Sequence, residues 1–360
     1  MLYLIKTGEK FIDYTMQELK DIANPSRLYV DIISKFIMMD SQITYEDLIK
    51  SIATATFVNN IIKVDEEIAN VNSKEDLMEP IKGILIKGES FKISVSKASS
   101  NLAENAKTIE VWLGTRLESE GFTADLKNPN VLVKVVAIGS KAYIGKQPVN
   151  AYSEDWQRDL ATMPRINRSE LKIIEAWQYF NLENLPNGKV LDVGAAPGGW
   201  SDFMLGKGMN VVAVDGASLN YEKLGKQNIL VVSSGEKHDG VDHCFKENFD
   251  ECIRLARGKR LVHLKESFDN CIDCIAKLGP YDLLLIDSNT GPEVSGAIAV
   301  SASGSMRSGA QLLMTIKLID FNISMHISRI RQILEDQFEI VAIKKLPHNR
   351  RELTLHAVKK

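Results

Sequence analysis

The run Val190-Leu191-Asp192-Val193-Gly194-Ala195-Ala196-Pro197-Gly198-Gly199-Trp200 constrains this chain more than any other. A short apolar strand ends in a glycine turn, small residues follow, and residues 200–205 open a helix. Small side chains there let a ligand lie against the backbone. A strand, a glycine turn and a helix in that order begin a doubly wound sheet. Such sheets bind ligands outside the carboxyl ends of their strands, at the topological switch point.

The sequence around this run fits that architecture. From Pro164 onward, apolar runs alternate with helical patterns, the signature of a mostly parallel sheet covered by helices. Strands are expected at 190–193, 211–214, 261–264, 283–286, 312–316, 339–343 and 353–358. Upstream, residues 1–55 read as a small α/β unit. It has a strand at 2–5, a helix at 11–22 broken by Asn24-Pro25, a strand or short helix at 27–36, and a helix at 45–52. Residues 56–150 read as a second unit, with helices at 74–86 and 102–120. Its strands are an alternating one at 91–96 and others at 131–138 and 141–144, with a turn at 125–130. A polar linker, 151–163, leads into the domain at 164–360.

A chain of 360 residues is long enough for two or three such domains. Apolar content of 44% and charge of 25% are ordinary for a soluble globular protein. No apolar run approaches the ~20 residues of a membrane helix. The start, Met1-Leu2-Tyr3-Leu4-Ile5-Lys6, lacks the basic and apolar regions of a secretory signal. Four cysteines do not suggest a disulfide scaffold, and a cytoplasmic location is expected. The net charge of -3 carries no nucleic-acid signal. Locally, Lys344, Lys345, Arg350, Arg351, Lys359 and Lys360 outweigh Glu352. That stretch is either a basic edge that meets phosphates or a solvated strand edge.

The glycine run lacks the features of phosphate-binding loops. Ala196-Pro197 interrupts the dinucleotide fingerprint, and no Gly-Lys-Ser/Thr follows. A phosphate-free nucleoside ligand suits it better, and S-adenosylmethionine is one: a zwitterionic amino acid joined to a sulfonium. Asp192 is then placed to face the cationic side. Asp215, which ends the strand at 211–214, is placed to accept from both ribose hydroxyls; alone it would read as a turn aspartate, but its 23-residue interval from Asp192, with glycine turns between, favours the functional role. Trp200 reads as packing beneath the loop.

More charged residues mark strand ends. Asp287 closes 283–286 and Lys317 closes 312–316. Glu352 precedes the last strand and reaches the same rim if that strand is antiparallel. Lys172 lies on the helix entering the domain. Each alone reads as a surface ion pair. Together, around a methyl donor, two lysines and two carboxylates suit a hydroxyl acceptor such as a ribose 2'-OH, whose proton must be drawn away. Lys317 is the expected base, with Lys172 tuning it and binding the acceptor, and Asp287 and Glu352 orienting the pair. Little further acid–base work is needed, so positioning dominates.

These residues carry a family resemblance. Arg168-Ser169-Glu170-Leu171-Lys172, the run from Asp192 to Trp200, Asp287, Lys317 and Arg351-Glu352 resemble the FtsJ/RrmJ class of RNA ribose 2'-O-methyltransferases. The resemblance implies a Lys-Asp-Lys-Glu tetrad at Lys172, Asp287, Lys317 and Glu352. It implies a class I Rossmann-like sheet, mostly parallel with an antiparallel last strand. It implies S-adenosylmethionine held by Asp192, Gly194, Ala195, Ala196, Pro197, Gly198, Gly199, Trp200, Asp215 and Asp287. Residues 208–216 and 346–352 are most similar to the branch that modifies a cytidine of 23S ribosomal RNA. Residues 56–150 resemble a THUMP domain, on Asn128-Pro129-Asn130-Val131 and Ala142-Tyr143-Ile144-Gly145, and 1–55 resemble the ferredoxin-like unit that precedes it. The implied partner is structured RNA, ribosomal first, with transfer RNA also open.

The chain departs from the family where an acid usually follows the third strand. Ser267 stands there, with Glu266 as the candidate substitute. The loop 288–292 also differs from the usual one. Cys271-Ile272-Asp273-Cys274 is a lone pair, too few ligands for zinc, and no metal is expected. Lys92, Lys97, Lys107, Lys127, Lys134 and Lys141 either contact phosphates or stay solvated. Base methylation is disfavoured, because no Asn-Pro-Pro-Tyr-type motif or cysteine nucleophile follows the fourth strand. A non-catalytic RNA-binding or assembly factor is the rival from another class, and the complete tetrad argues against it. The sequence is silent on oligomeric state.

Overall fold

The computed structural model describes residues 1–58, 60–149, 165–185, 188–226, 228–235, 240–319 and 322–360, and the expected linker at 151–163 lies outside them. The chain divides into two compact units, Met1–Asp159 and Leu160–Lys360.

The first unit opens with β1 (Leu2–Ile5), α1 (Ile12–Ala23), β2 (Arg27–Val30), β3 (Ile37–Asp40), α2 (Tyr45–Ser51) and β4 (Ile61–Lys63). Asn24 ends α1 with φ 39, a left-handed conformation that asparagine tolerates, and Pro25 follows. Thr44 caps α2 by accepting from the Asp47 amide at 3.1 Å. The segment at 27–36 is a strand and then a turn, in which Asp31 Oδ1 accepts from the Ser34 amide at 2.7 Å. The sheet order is β2-β3-β1-β4, antiparallel throughout. This is the β-α-β-β-α-β arrangement of a ferredoxin-like unit.

A five-stranded sheet follows, built from β5 (Glu66–Ile68), β6 (Ser90–Ala98), β7 (Thr123–Ala124), β8 (Val131–Ile138) and β9 (Lys141–Pro148) in the order β5-β9-β8-β6-β7. Helices α3 (Met78–Ile84) and α4 (Ala106–Ser119) accompany it. The turn at 125–130 forms because Asp125 Oδ1 accepts from the Lys127 and Asn128 amides, both at 2.9 Å. Leu4, Met38 and Ile62 share one core cluster with Val136, Ile138 and Tyr143, so the two sheets pack on each other.

Gly145 lies at their junction. A Cβ there would sit 1.7 Å from the Lys63 carbonyl oxygen, which is backbone and cannot swing away. Gly145→Ala is therefore expected to destabilise this unit by about 2 kcal/mol or more, as overpacking does. Denaturant unfolding followed by circular dichroism measures it, and an unchanged midpoint would refute the steric argument.

Several of the lysines read as either phosphate contacts or solvated side chains are engaged within the protein. Lys134 is buried in β8. Lys97 Nζ donates to the Leu102 carbonyl at 2.6 Å, Lys141 pairs with Glu67 at 2.8 Å, and Lys107 with Glu110 at 3.6 Å.

The second unit contains α5 (Glu170–Tyr179), β10 (Lys189–Val193), α6 (Gly199–Gly206), β11 (Asn210–Val214), β12 (Ile229–Ser233), β13 (Asp242–Phe245), α7 (Phe249–Ala256) and β14 (Leu261–Leu264). It continues with α8 (Ile272–Leu278), β15 (Tyr281–Ile286), α9 (Pro292–Ser303), β16 (Met306–Lys317), α10 (Ile323–Leu334), β17 (Phe338–Lys344) and β18 (Glu352–Lys359). The nine-stranded order is β13-β12-β14-β11-β10-β15-β16-β18-β17. All neighbours pair in parallel except β18, which runs antiparallel to β16 and β17. The chain thus has the Rossmann-like sheet with a reversed last strand. Its core includes Val190, Val211, Leu283, Leu285 and Leu313 from neighbouring strands. Among the described residues, no helix is long and apolar enough to cross a membrane.

The structure departs from the sequence reading in three places here. β12 and β13 were not expected, and they extend the sheet beyond β14. Cys244 and Cys252 form a local disulfide, while Cys271 and Cys274 are free and buried. The basic edge at the carboxyl end does not exist as such. Lys344 is fully buried with its Nζ 5.6 Å from the Tyr179 ring, and Lys345 is buried with its Nζ bonded to the Asn349 carbonyl. Arg350, Arg351 and Lys360 are exposed.

Candidate active site

The strand registers bring the marked residues to one rim. Val193 pairs with Val214 on one side and Ile286 on the other, so Gly194, Asp215 and Asp287 follow at one level. Ile286 pairs with Met314, which carries Lys317 just past that level. The reversed β18 then sets Glu352 directly opposite Lys317.

The loop after β10 is built for close approach. Gly194 has φ 79, and a Cβ there would fall 2.8 Å from the Ser288 backbone. A side chain at 194 is thus excluded by both conformation and space. Asp215 braces the loop from β11: Oδ2 accepts from the Ala196 amide at 3.0 Å and Oδ1 from the Ala217 amide at 2.8 Å. Each oxygen retains a lone pair for a ligand hydroxyl. His263 Nε2 lies 3.0 Å from the Asp215 carbonyl and its Nδ1 lies 2.7 Å from Tyr221 Oη. A carbonyl only accepts, so Nε2 carries the proton and Tyr221 donates to Nδ1.

Asp192 is buried at the strand end. Its Oδ2 accepts from Ser201 Oγ at 2.7 Å, while its Oδ1 is buried without a partner. Burial pushes its carboxyl up to about 7, with the Asp287 and Asp215 charges adding to the rise against the Ser201 bond. An unsatisfied acceptor of this kind beside a backbone cradle fits a ligand bearing a cationic donor group.

The four charged residues form a closed ring of ion pairs. Lys172 reaches Asp287 at 2.6 Å and Glu352 at 3.1 Å. Lys317 reaches Asp287 at 3.0 Å and Glu352 at 2.5 Å. Thr315 Oγ1 donates to Asp287 Oδ1 at 2.9 Å, and Ser169 Oγ donates to Asp287 Oδ2. Burial alone would raise the Asp287 carboxyl, but Lys172, Lys317 and these hydrogen bonds outweigh it and hold it below its ordinary value. Burial likewise lowers Lys317, yet Asp287 and Glu352 outweigh burial and raise it. Lys317 is therefore held charged by the two carboxylates.

Trp200 packs under this ring. It is buried, its Nε1 donates to the Ser169 carbonyl at 2.9 Å, and its ring lies 6.0 Å from Lys172 Nζ. The loop helix and α5 are thereby tied together. Glu266 stands apart. It follows β14 on the same rim, but its carboxylate accepts from Asn270 Nδ2 at 3.2 Å.

The sequence reading missed Ser169, Ser201 and Thr315. Ser169 precedes Lys172 by one helical turn, and Thr315 precedes Lys317 by two strand positions, so each shares a face with its lysine. That periodicity was the available signal.

Residues 165–352 match the FtsJ-like methyltransferase family. The ribosomal RNA large subunit methyltransferase M of Cellvibrio japonicus is 32% identical over 113 residues, 28% of this chain and 31% of the relative. Its namesake in Histophilus somni is 26% identical over 238 residues, 59% of each chain. The chain thus spans about a third of the first of these relatives and 59% of the second. The solved TrmN structure from Thermus thermophilus covers both chains fully at 14% identity with a TM-score of 0.37. The family match takes in more than half of the chain, including every residue of the ion-pair ring, and the protein belongs to the FtsJ-like methyltransferase family.

Proposed function

We propose that this protein is an S-adenosylmethionine-dependent RNA ribose 2'-O-methyltransferase that acts on large-subunit ribosomal RNA. The observation that carries this reading is the closed ring in which each of Lys172 and Lys317 touches both Asp287 and Glu352. A base methyltransferase has no need of a lysine held between two carboxylates, whereas a ribose hydroxyl needs a proton acceptor placed beside it. The names of the partial relatives support ribosomal RNA as the substrate.

The loop from Gly194 to Trp200, with Asp192 and Asp215, would hold the donor, and Glu266 would close its adenine end. Bound there, S-adenosylmethionine supplies a methyl group carried on a sulfonium. Asp192 offers its unpartnered Oδ1 to the cationic side. Lys172 and Asp287 hold the acceptor ribose. Lys317 takes the hydroxyl proton. To do so it must first lose its own, and two influences favour that loss: the Lys172 charge, and positive charge placed in the adjoining loop. The unit at Met1–Asp159 recognises folded RNA, through a ferredoxin-like part at 1–55 and a THUMP-like part at 56–150.

The test uses purified protein, methyl-labelled S-adenosylmethionine and unmodified transcripts of large-subunit ribosomal RNA and of transfer RNA. Label is expected in the ribosomal transcript, within a dinucleotide that resists alkali because its 2'-oxygen is blocked. Label in an alkali-released mononucleotide would place the methyl on a base and sink the ribose assignment. Label in transfer RNA alone would sink the substrate assignment.

A further inference from the structure

A second group of buried charges lies behind the ion-pair ring. Glu175 is fully buried on α5, one helical turn beyond Lys172. Its Oε2 accepts from the His348 amide at 2.9 Å and lies 3.5 Å from His348 Nδ1, while its Oε1 is buried without a hydrogen-bond partner. His348 belongs to the turn joining β17 to β18. That turn is also closed on itself. Lys345 Nζ donates to the Asn349 carbonyl, and Asn349 Oδ1 accepts from the Leu346 amide at 2.9 Å and from Thr354 Oγ1 at 3.1 Å. The turn decides where β18 begins, and β18 begins with Glu352.

We propose that Glu175 and Lys345 are positioning residues of the methyl-transfer site: they clamp the turn that presents Glu352 against the helix that carries Lys172, and they balance the Glu352 charge from behind. The proposal rests on the reading of Lys172, Asp287, Lys317 and Glu352 as the reacting tetrad.

A clamp alone needs no charge, since a buried amide would accept from His348 as well and at lower desolvation cost. The structure instead buries a carboxylate and a lysine together. Lys345 is faced by Glu175 from α5, by Glu352 from β18, and by the Asn349 carbonyl of its own turn, and Glu175 is itself met by His348. The neighbouring Lys344 is directed to the Tyr179 ring on α5. Burial lowers the Lys345 amine to about 8, with Glu352 and Glu175 pulling against that fall. Below that pH Lys345 is charged and draws on Glu352, which leaves Lys317 less tightly held in its charged form. Above it Lys345 is neutral, Glu352 is balanced by Lys172 and Lys317 alone, and Lys317 gives up its proton less readily.

The test is the pH profile of single-turnover methyl transfer to the unmodified large-subunit transcript at saturating S-adenosylmethionine. The wild-type rate is expected to rise with pH as Lys317 loses its proton, and to break to a shallower slope near 8 as Lys345 loses its charge. Lys345→Met should be about tenfold slower below that pH, with donor affinity unchanged and no break near 8, a size typical of a change in positioning rather than of a lost base. Lys345→Arg should restore the rate and stay active above 8, because its charge does not titrate. Glu175→Gln keeps the acceptor for His348 and removes a charge that raises Lys345, so its profile should shift to lower pH. The proposal is overturned if Lys345→Met keeps the wild-type rate and profile, or if Lys345→Arg behaves as Lys345→Met does. Failure of the tetrad reading looks different: Lys317→Arg would then remain active whatever Lys345 does. Should Lys345→Met fail to fold, Lys345→Arg and Glu175→Gln carry the test alone.

Discussion

Lys317→Arg is expected to slow methyl transfer by about 10²–10⁴-fold, the range typical of losing a general base. Donor binding and thermal stability should stay near wild type. Arginine keeps the positive charge that Asp287 and Glu352 are arranged to bind, at 3.0 and 2.5 Å from the present amine. It therefore avoids leaving a buried carboxylate unpaired, which would cost about 3–5 kcal/mol and confuse catalysis with unfolding. What arginine cannot do is deprotonate, since its pKa lies above ~12. Lys172→Arg is the control. Lys172 binds the same two carboxylates, but its assigned role is to hold rather than to accept a proton. Its rate should fall by no more than about tenfold, through misplacement rather than lost chemistry. Single-turnover rates at saturating donor separate the cases. Equal losses in both variants would remove the distinction between the lysines, and an active Lys317→Arg would remove the base altogether.

Three of the four charged residues were legible because each sits where a pattern changes, whereas Lys172, inside a helix, was marked by the family resemblance. Asp287 and Lys317 follow unbroken apolar runs, and Glu352 precedes one, so the positions of strand ends could be read without knowing the sheet. The register that sets Glu352 opposite Lys317 was conditional on an antiparallel last strand, and the structure supplies that condition. The strands at 229–233 and 242–245 were not legible for a physical reason. Parallel strands are usually recognised by the helices between them, and no helix is described between β11 and β12. Asp-His-Cys-Phe at 242–245 has little strand character of its own, and its pairing with β12 is a tertiary effect. The same limit hid the fate of Lys344 and Lys345. Read as sequence, they belong to a basic edge. In the fold they turn inward, one onto an aromatic ring and one into a carboxylate-lined turn. Charge patterning reports composition, whereas burial is decided by which neighbour supplies a compensating group. Glu175 escaped notice likewise, because a glutamate on an amphipathic helix ordinarily faces water.

Asp192→Asn should make the ligand-free protein more stable and a poorer binder of S-adenosylmethionine, and the gain in stability should depend on pH. The folded protein raises this carboxyl from 3.8 to about 7. Folding therefore favours its protonated form. That preference stabilises the fold fully below the unfolded value, and it is lost as pH rises through 7, where a buried carboxylate must ionise or retain its proton at a cost. The gap corresponds to about 4 kcal/mol at pH 8, as an order of magnitude. Asparagine removes the ionisation and can still bond Ser201, so it should raise the unfolding temperature most at pH 8 and by roughly a third of that at pH 5, where the unfolded carboxyl is already ionised. The same substitution removes a charge-assisted partner for the cationic donor. At about 1.5–3 kcal/mol for such a bond, affinity should fall roughly ten- to a hundredfold. Thermal unfolding at the two pH values, and calorimetric titration with S-adenosylmethionine, measure both effects. If the variant gains equal stability at pH 5 and pH 8, ionisation of Asp192 is not the source. If affinity holds while stability rises most at pH 8, the carboxylate is strained for some other end than holding the donor. The expected pairing of both effects would mean that the fold keeps a destabilising charge at the end of β10 because the ligand supplies the counter-charge that the protein itself does not.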